Sequence, residues 1–199
     1  HDLRTPLARL RLAVEMLPDD QCGSFKVGMV QDITDMDNII HQFLDFVRGI
    51  EGEPTQMVDI NELLRSIIER HQRAGRDIIV RLSAQHLIPL RPLAMQRLIS
   101  NLIDNAYKYG HGEVIVSTRI NSGSVVLSVM DNGPGIPASQ MARLLRPFER
   151  LDKARGNEGG SGLGLAIADR IAKLHKGELT LLNRPQGGLE ARLTLPIAP

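Results

Sequence analysis

The sequence predicts an α+β protein in two parts, a helical hairpin followed by a two-layer α/β sandwich. Three observations carry this. Apolar residues recur at three-four spacing from Leu3 to Val47. A break rich in glycine, Gly49-Ile50-Glu51-Gly52-Glu53-Pro54, then ends that pattern. Beyond it, helical stretches alternate with short β-like runs that are joined as hairpins.

The first helix is read from Leu3, Leu7, Leu10, Val14 and Leu17, which form a narrow stripe. Turn formers from Pro18 to Ser24 end it. A second stripe follows in Phe25, Met29, Ile33, Met36, Ile40, Phe43 and Val47. Two such helices with a short connection form an antiparallel hairpin that is too thin to bury both seams alone. A homodimer closing a four-helix bundle about a two-fold axis is therefore expected over residues 1–49.

The second part is expected over residues 55–199. Asp59-Ile60-Asn61-Glu62 resembles a capping box that opens a helix through about Ala74. Asp77 to Leu82 alternates as a strand, and a helix runs from Pro92 until Gly110 ends it. Val114 to Thr118 and Val125 to Val129 flank Asn121-Ser122-Gly123-Ser124 as a hairpin. A short helix covers about Ala138 to Leu145, and a longer one about Gly162 to His175. Glu178 to Leu182 and Leu189 to Leu195 close the chain as a second hairpin, turning at Arg184 to Gly188.

Composition narrows the function. The 24 Lys+Arg nearly balance 23 Asp+Glu, and with no basic block or aromatic ladder the surface is not that of a nucleic-acid binder. The single Cys22 excludes an internal disulfide and a cysteine-based metal site, which fits a reducing, cytoplasmic setting. No apolar run approaches the roughly 18 residues of a membrane span. The chain opens at His1, inside what reads as a continuing helix, so any membrane attachment is expected in missing upstream segments.

Four segments carry chemistry. His1-Asp2-Leu3-Arg4-Thr5-Pro6-Leu7 sets an imidazole beside a carboxylate. Neutral imidazole is nucleophilic near its ordinary pKa of roughly 6.5, and Asp2 is suited to take a proton or hold the tautomer. Asn101 and Asn105 share a helix face, with Lys108 near them. Their amide oxygens are hard ligands suited to Mg²⁺, although alone the pair reads equally as a polar helix face. Asp131-Asn132-Gly133-Pro134-Gly135 is either a carboxylate poised for an exocyclic amine or a tight turn. Gly160-Ser161-Gly162-Leu163-Gly164-Leu165 opens a helix whose N–H groups suit phosphate. The charged run from Arg146 to Gly159 suggests a lid with Phe148 at one end, or an ordinary surface loop.

Taken together and in this order, these segments resemble the H, N, G1, F and G2 boxes of sensor histidine kinases, over essentially the whole chain. The H box, the Tyr109-Gly110 end of the N box and Pro147-Phe148 are similar to those of the osmosensing kinases. The resemblance implies a phosphoacceptor hairpin followed by a GHKL (Bergerat-type) ATP-binding domain. It implies Asn105 as the Mg²⁺ ligand, with Asn101 and Lys108 near the phosphates of ATP. It puts Tyr109 on the adenine and Asp131 on its amine. Gly133, Gly135, Ile136, Phe148, Gly160, Ser161, Gly162, Leu163, Gly164 and Leu165 would shape the pocket and lid, and Arg150 would reach the γ-phosphate.

The resemblance further implies autophosphorylation of His1 and transfer to an aspartate on a response regulator with an OmpR-like receiver domain. Thr5 would orient water for dephosphorylation of that regulator, whose docking rim is expected at Arg4, Ala8 and Arg11. The parent protein would be an inner-membrane one with this region facing the cytoplasm. Two other readings stay open, a GHKL ATPase without phosphohistidine and a nucleotide-gated dimerisation scaffold.

Overall fold

A computed structural model describes residues 10–12, 14–16, 26–31, 33–34, 36, 40, 52–110, 112–151 and 161–197. The chain divides into two compact units, His1–Gly49 and Ile50–Pro199.

In the first unit the described residues are helical on both sides of the predicted turn. Val14 and Ile33 are buried together, with Val30 and Ile40 packed against them. Val14, Ile33 and Ile40 are stripe positions. Thr34 Oγ1 donates to the Val30 carbonyl at 2.7 Å, and Arg11 pairs with Glu15 one turn away at 2.9 Å on the exposed face.

The second unit contains strands β1 (Gln56–Asp59), β2 (Ile78–Leu82), β3 (Leu87–Leu90), β4 (Val114–Asn121), β5 (Ser124–Met130), β6 (Glu178–Asn183) and β7 (Leu189–Pro196). Its helices are α1 (Ile60–Arg73), α2 (Pro92–Tyr109), α3 (Ala138–Leu144) and α4 (Gly164–Leu174). The main sheet has the order β2-β4-β5-β7-β6, and β1 and β3 form a separate antiparallel pair. Among the described strands only β2 and β4 run parallel, matched from Ile78↔Val114 to Leu82↔Thr118. The crossover between them carries β3 and α2, as a parallel connection requires.

Helices and sheet meet along apolar faces. In α2, Met95, Leu98, Ile99, Leu102, Ile103 and Ala106 recur at three-four spacing and are all buried. In β4, Val114, Val116 and Thr118 alternate inward, a period of two that matches the pleat. Thr118 is the polar member of that face and is fully used. Its Oγ1 donates to Asn61 Oδ1 at 2.8 Å and accepts from Ser83 and Ala84 N–H at 3.1 and 3.2 Å. The two-residue turn between β4 and β5 takes positive φ at both Ser122 and Gly123, which suits the twist of a hairpin.

Two strands were not expected. β1 is four residues beside the supposed linker, and β3 contains Pro89, a residue that argues against a central strand. Pro89 is tolerated because the pair is only two strands wide, with Pro89 opposite Met57. The supposed linker is also anchored. The Glu53 carboxylate accepts the N–H groups of Leu93 and Ala94 at 2.7 and 2.9 Å, capping α2 from outside the helix. α4 begins at Gly164 rather than Gly162, because Gly162 takes φ +72° and cannot continue a right-handed helix.

Candidate nucleotide site

α2 supplies the amide face. Asn101 and Asn105 are half-buried, one turn apart. α4 packs against α2 with its first residue over that face. A Cβ at Gly164 would lie 3.7 Å from Asn105 Nδ2 and 3.9 Å from Asn101 Cγ, ordinary contact distances that place the start of α4 directly on that face. Among the described residues, Asn101 Nδ2 is buried with no hydrogen-bond partner. Such an orphan is costly and rare in a finished fold, so it points to a ligand acceptor. Among the described residues no side chain caps the N-terminus of α4, whose preceding turn is shaped by Ser161 Oγ accepting from Leu163 N–H at 3.3 Å. Leu163 is fully buried and Leu165 half-buried.

At the end of α2, Tyr109 is 53% exposed, and Lys108 Nζ stands 5.8 Å from its ring centroid. The lysine is thus turned against the tyrosine. Gly110 follows, where a Cβ would strike Asp131 Cβ at 2.6 Å. A Cβ on Gly133 would be 2.6 Å from the Tyr109 carbonyl. The two glycines let the N-box end and the G1 turn touch through backbone.

Asp131 is only 7% exposed. Its Oδ1 accepts from Gly133 N–H at 2.8 Å and Leu189 N–H at 3.2 Å, while its own N–H donates to the Leu189 carbonyl at 3.0 Å. Among the described residues Oδ2 accepts no hydrogen bond, which leaves one carboxylate oxygen for a ligand amine. The far end of the turn is fixed by Asn183. It accepts from Ile136 N–H at 2.9 Å and donates to the Ile136 carbonyl at 2.8 Å. Arg184 Nη1 donates to the Asp131 carbonyl and, at 2.8 Å, to Asn132 Oδ1.

The F box is pinned to the G2 box. Phe148 N–H donates to the Gly162 carbonyl at 3.0 Å, and Phe148 itself takes φ +64° and is 55% exposed. Among the described residues, no hydrogen bond or ion pair joins Arg150 to Asn101 or Asn105. His1, Asp2, Thr5, Gly160 and most of the expected lid lie outside the described residues. Asn183, Arg184 and Gly188 were not among the expected site residues, and Arg184 to Gly188 were expected only as a hairpin turn. The available signal was Gly187-Gly188, whose φ of +93° and +89° admit little but glycine.

Residues 91–199 match the family of histidine kinase-, DNA gyrase B- and HSP90-like ATPases. The chain belongs to that ATPase family. Residues 1–52 match the His Kinase A phospho-acceptor domain, so the chain joins the two domains of a sensor histidine kinase core in their expected order. It is 41% identical to the sensor histidine kinase GtrS of Pseudomonas aeruginosa over 98% of this chain and 40% of that protein. Full-length ShkA, crystallised with AMPPNP, superposes with TM-score 0.78 at 25% identity, over 100% of this chain and 44% of that one. The histidine kinase domain of the Escherichia coli osmosensor EnvZ gives 0.58 at 36% identity, over 72% of this chain and 89% of that domain. This core spans less than half the length of GtrS and of ShkA.

Proposed function

We propose that this core binds ATP and Mg²⁺ at the face formed by α2 and the start of α4, phosphorylates His1, and passes the phosphoryl group to an aspartate of a response-regulator receiver domain of OmpR-like type. The observation that carries it is the orphaned Asn101 amide, beside Asn105 and under the uncapped start of α4. That arrangement suits phosphate oxygens, which accept from amide and backbone N–H groups. The AMPPNP held by ShkA supports the same reading.

In the reaction one imidazole nitrogen of His1 attacks the γ-phosphorus. The bond from phosphorus to the β,γ-bridging oxygen breaks, ADP leaves, and Asp2 takes the proton from the other ring nitrogen. Asn105 offers a neutral oxygen to Mg²⁺, which when bound offsets charge on the phosphates. Asp131 Oδ2 takes the adenine amine, Tyr109 packs on the base, and Lys108 and Arg150 supply positive charge. Thr5 orients water in the reverse role, as phosphatase of the same regulator.

The active species is a homodimer, with the phosphoacceptor hairpin at 1–49 and the ATP-binding domain at 55–199. Stripe residues Leu10, Met29 and Met36 are 53%, 45% and 50% exposed on the single chain, which supports a second hairpin covering them. Among the described residues no helix is long and apolar enough to cross a membrane. An inner-membrane parent with this core on the cytoplasmic side would carry its span elsewhere.

The test is γ-labelled ATP with Mg²⁺ on the chain, and on a version extended upstream by several helical turns, beside His1→Gln and Asn105→Ala. Acid-labile, alkali-stable label lost in both variants is the expected result. Tight ATP binding with no label, even on the extended chain, would leave an ATPase or a nucleotide-gated scaffold.

A further inference from the structure

We propose that Asn183 and Arg184, which lie outside the five motif segments, are positioning residues that set the base specificity of the nucleotide site. The proposal deepens the reading of Asp131 as the group that recognises the adenine amine, and rests on it.

Among the described residues, no backbone hydrogen bond closes the 132–136 turn on itself. Its internal support is the Asp131 side chain, whose Oδ1 accepts from Gly133 N–H. Everything else comes from the β6–β7 hairpin. Arg184 grips the start of the turn, on the Asp131 carbonyl and the Asn132 amide oxygen. Asn183 grips its end with two bonds to the Ile136 backbone, at 2.9 and 2.8 Å. Two adjacent residues therefore hold both ends of a segment whose middle, among the described residues, is hydrogen-bonded only to the Asp131 side chain.

The hairpin and the turn fit only where side chains are missing. A Cβ at Gly135 would be 2.7 Å from Asn183 Oδ1, and one at Gly188 would be 1.9 Å from the Asp131 carbonyl oxygen. This close seating fixes the Asp131 main chain, and with Oδ1 committed to two N–H groups it fixes the side chain as well. The remaining oxygen is then held at one place. A hydrogen bond weakens steeply once its distance or angle drifts, and a polar group built to meet one substrate group rejects an analogue lacking it. Loosening the clamp should therefore erode discrimination between bases before it erodes triphosphate binding, because the phosphates are held elsewhere, by the α2 face and the start of α4.

The experiment compares ATP with inosine triphosphate, which carries an oxygen in place of the 6-amino group. Dissociation constants for both are measured on the wild-type chain and on Asn183→Ala and Arg184→Ala, with thermal melts of each. The wild type should prefer ATP by about tenfold or more, from one hydrogen bond to a charged acceptor. Each variant should lose most of that preference, with inosine triphosphate affinity held within about twofold. Arg184→Lys and Asn183→Ser, which retain part of the hydrogen bonding, should fall between, and carry the test where the alanine variants do not melt cooperatively. A wild-type preference that survives in the variants overturns the proposal, as does a parallel loss of both nucleotides, which a merely structural role would produce. A wild-type chain that does not distinguish the two nucleotides, or binds neither, overturns the underlying reading of Asp131 itself.

Discussion

The ring of His175 bridges the ends of two helices: its Nε2 accepts the backbone N–H of Arg91 at 2.9 Å, and its Nδ1 meets the Ile171 carbonyl at 2.8 Å. The partners assign the neutral tautomer with the proton on Nδ1. Arg91 precedes α2 and His175 closes α4, so the bond joins the two helices that carry Asn101, Asn105 and Gly164.

Protonating His175 would turn its Nε2 from acceptor to donor and break the bond to Arg91. Burial holds its pKa below the ordinary 6.5, helped by the Arg91 charge and opposed by the Ile171 carbonyl and Glu53. His71 is shifted the same way, by burial first, aided by Arg76 and Arg70 and opposed by Asp104. In the unfolded chain both rings titrate near 6.5, so below that pH the unfolded state binds protons that the fold does not. Stability is complete above that value and falls as the pH drops through it toward the folded values. Glu190 stays ionised throughout. Burial raises its pKa, but hydrogen bonds from Arg192 and Ser128 outweigh that and hold it below 4.5. Urea midpoints should decline from pH 7.5 to 5.5, and His175→Gln should flatten the decline. A midpoint independent of pH across that range would contradict the assignment.

Glu53 makes a separate prediction about the same helix end. Its two oxygens satisfy two of the N–H groups that α2 leaves without partners, close to the positive end of the helix dipole. Glu53→Ala should lower unfolding free energy by about 1 kcal/mol, the usual cost of removing an N-cap. Glu53→Gln, which keeps an acceptor but no charge, should cost less. Equal stability of all three chains in a urea melt would mean that the contact contributes nothing.

These two contacts mark the limit of what was legible beforehand. Asp59 was readable as the cap of α1 because cap and helix adjoin, and its side chain does accept Asn61 N–H at 2.8 Å. The β4–β5 hairpin was readable from two β-branched runs flanking the Asn121-Ser122-Gly123-Ser124 turn. Glu53 acts about forty residues ahead in the chain and Asn183 about fifty behind, and neither leaves a local pattern. The nucleotide face was legible for a different reason. Asn101, Asn105, Asp131 and the glycines were each ambiguous alone, and only their order, which resembles the boxes of sensor histidine kinases, singled them out as an expected nucleotide face.

Gly162 offers a test of how the F and G2 boxes are joined. At φ +72° a side chain is strained, and a Cβ would press on the Phe148 backbone at 3.0 Å, where Phe148 N–H is bonded to the Gly162 carbonyl. Gly123 has a similar φ of +76° but open space around it. Each alanine variant should lose about 1–2 kcal/mol from backbone strain. Only Gly162→Ala should also weaken ATP binding, because only there must the neighbouring segment move. Calorimetric titration separates the two, and equal ATP affinity in both variants would sink the idea that the Phe148–Gly162 seam shapes the pocket.

Asn101 makes the opposite trade. Its buried Nδ2 finds no partner among the described residues, and an unsatisfied buried donor costs about 1–3 kcal/mol. Natural sequences retain such a cost where a ligand repays it. Asn101→Ala removes the orphan donor at the expense of a little packing on a half-buried face. Without nucleotide, its melting temperature should therefore match or exceed that of the wild type, by up to about 1 kcal/mol in unfolding free energy. With saturating ATP and Mg²⁺ the order should reverse, because the wild type gains stability through binding and the variant gains less. The comparison needs only thermal melts with and without ligand, and it does not depend on phosphate transfer. A variant that is clearly less stable when empty, yet stabilised by ATP as much as the wild type, would assign Asn101 to packing and remove it from the nucleotide site.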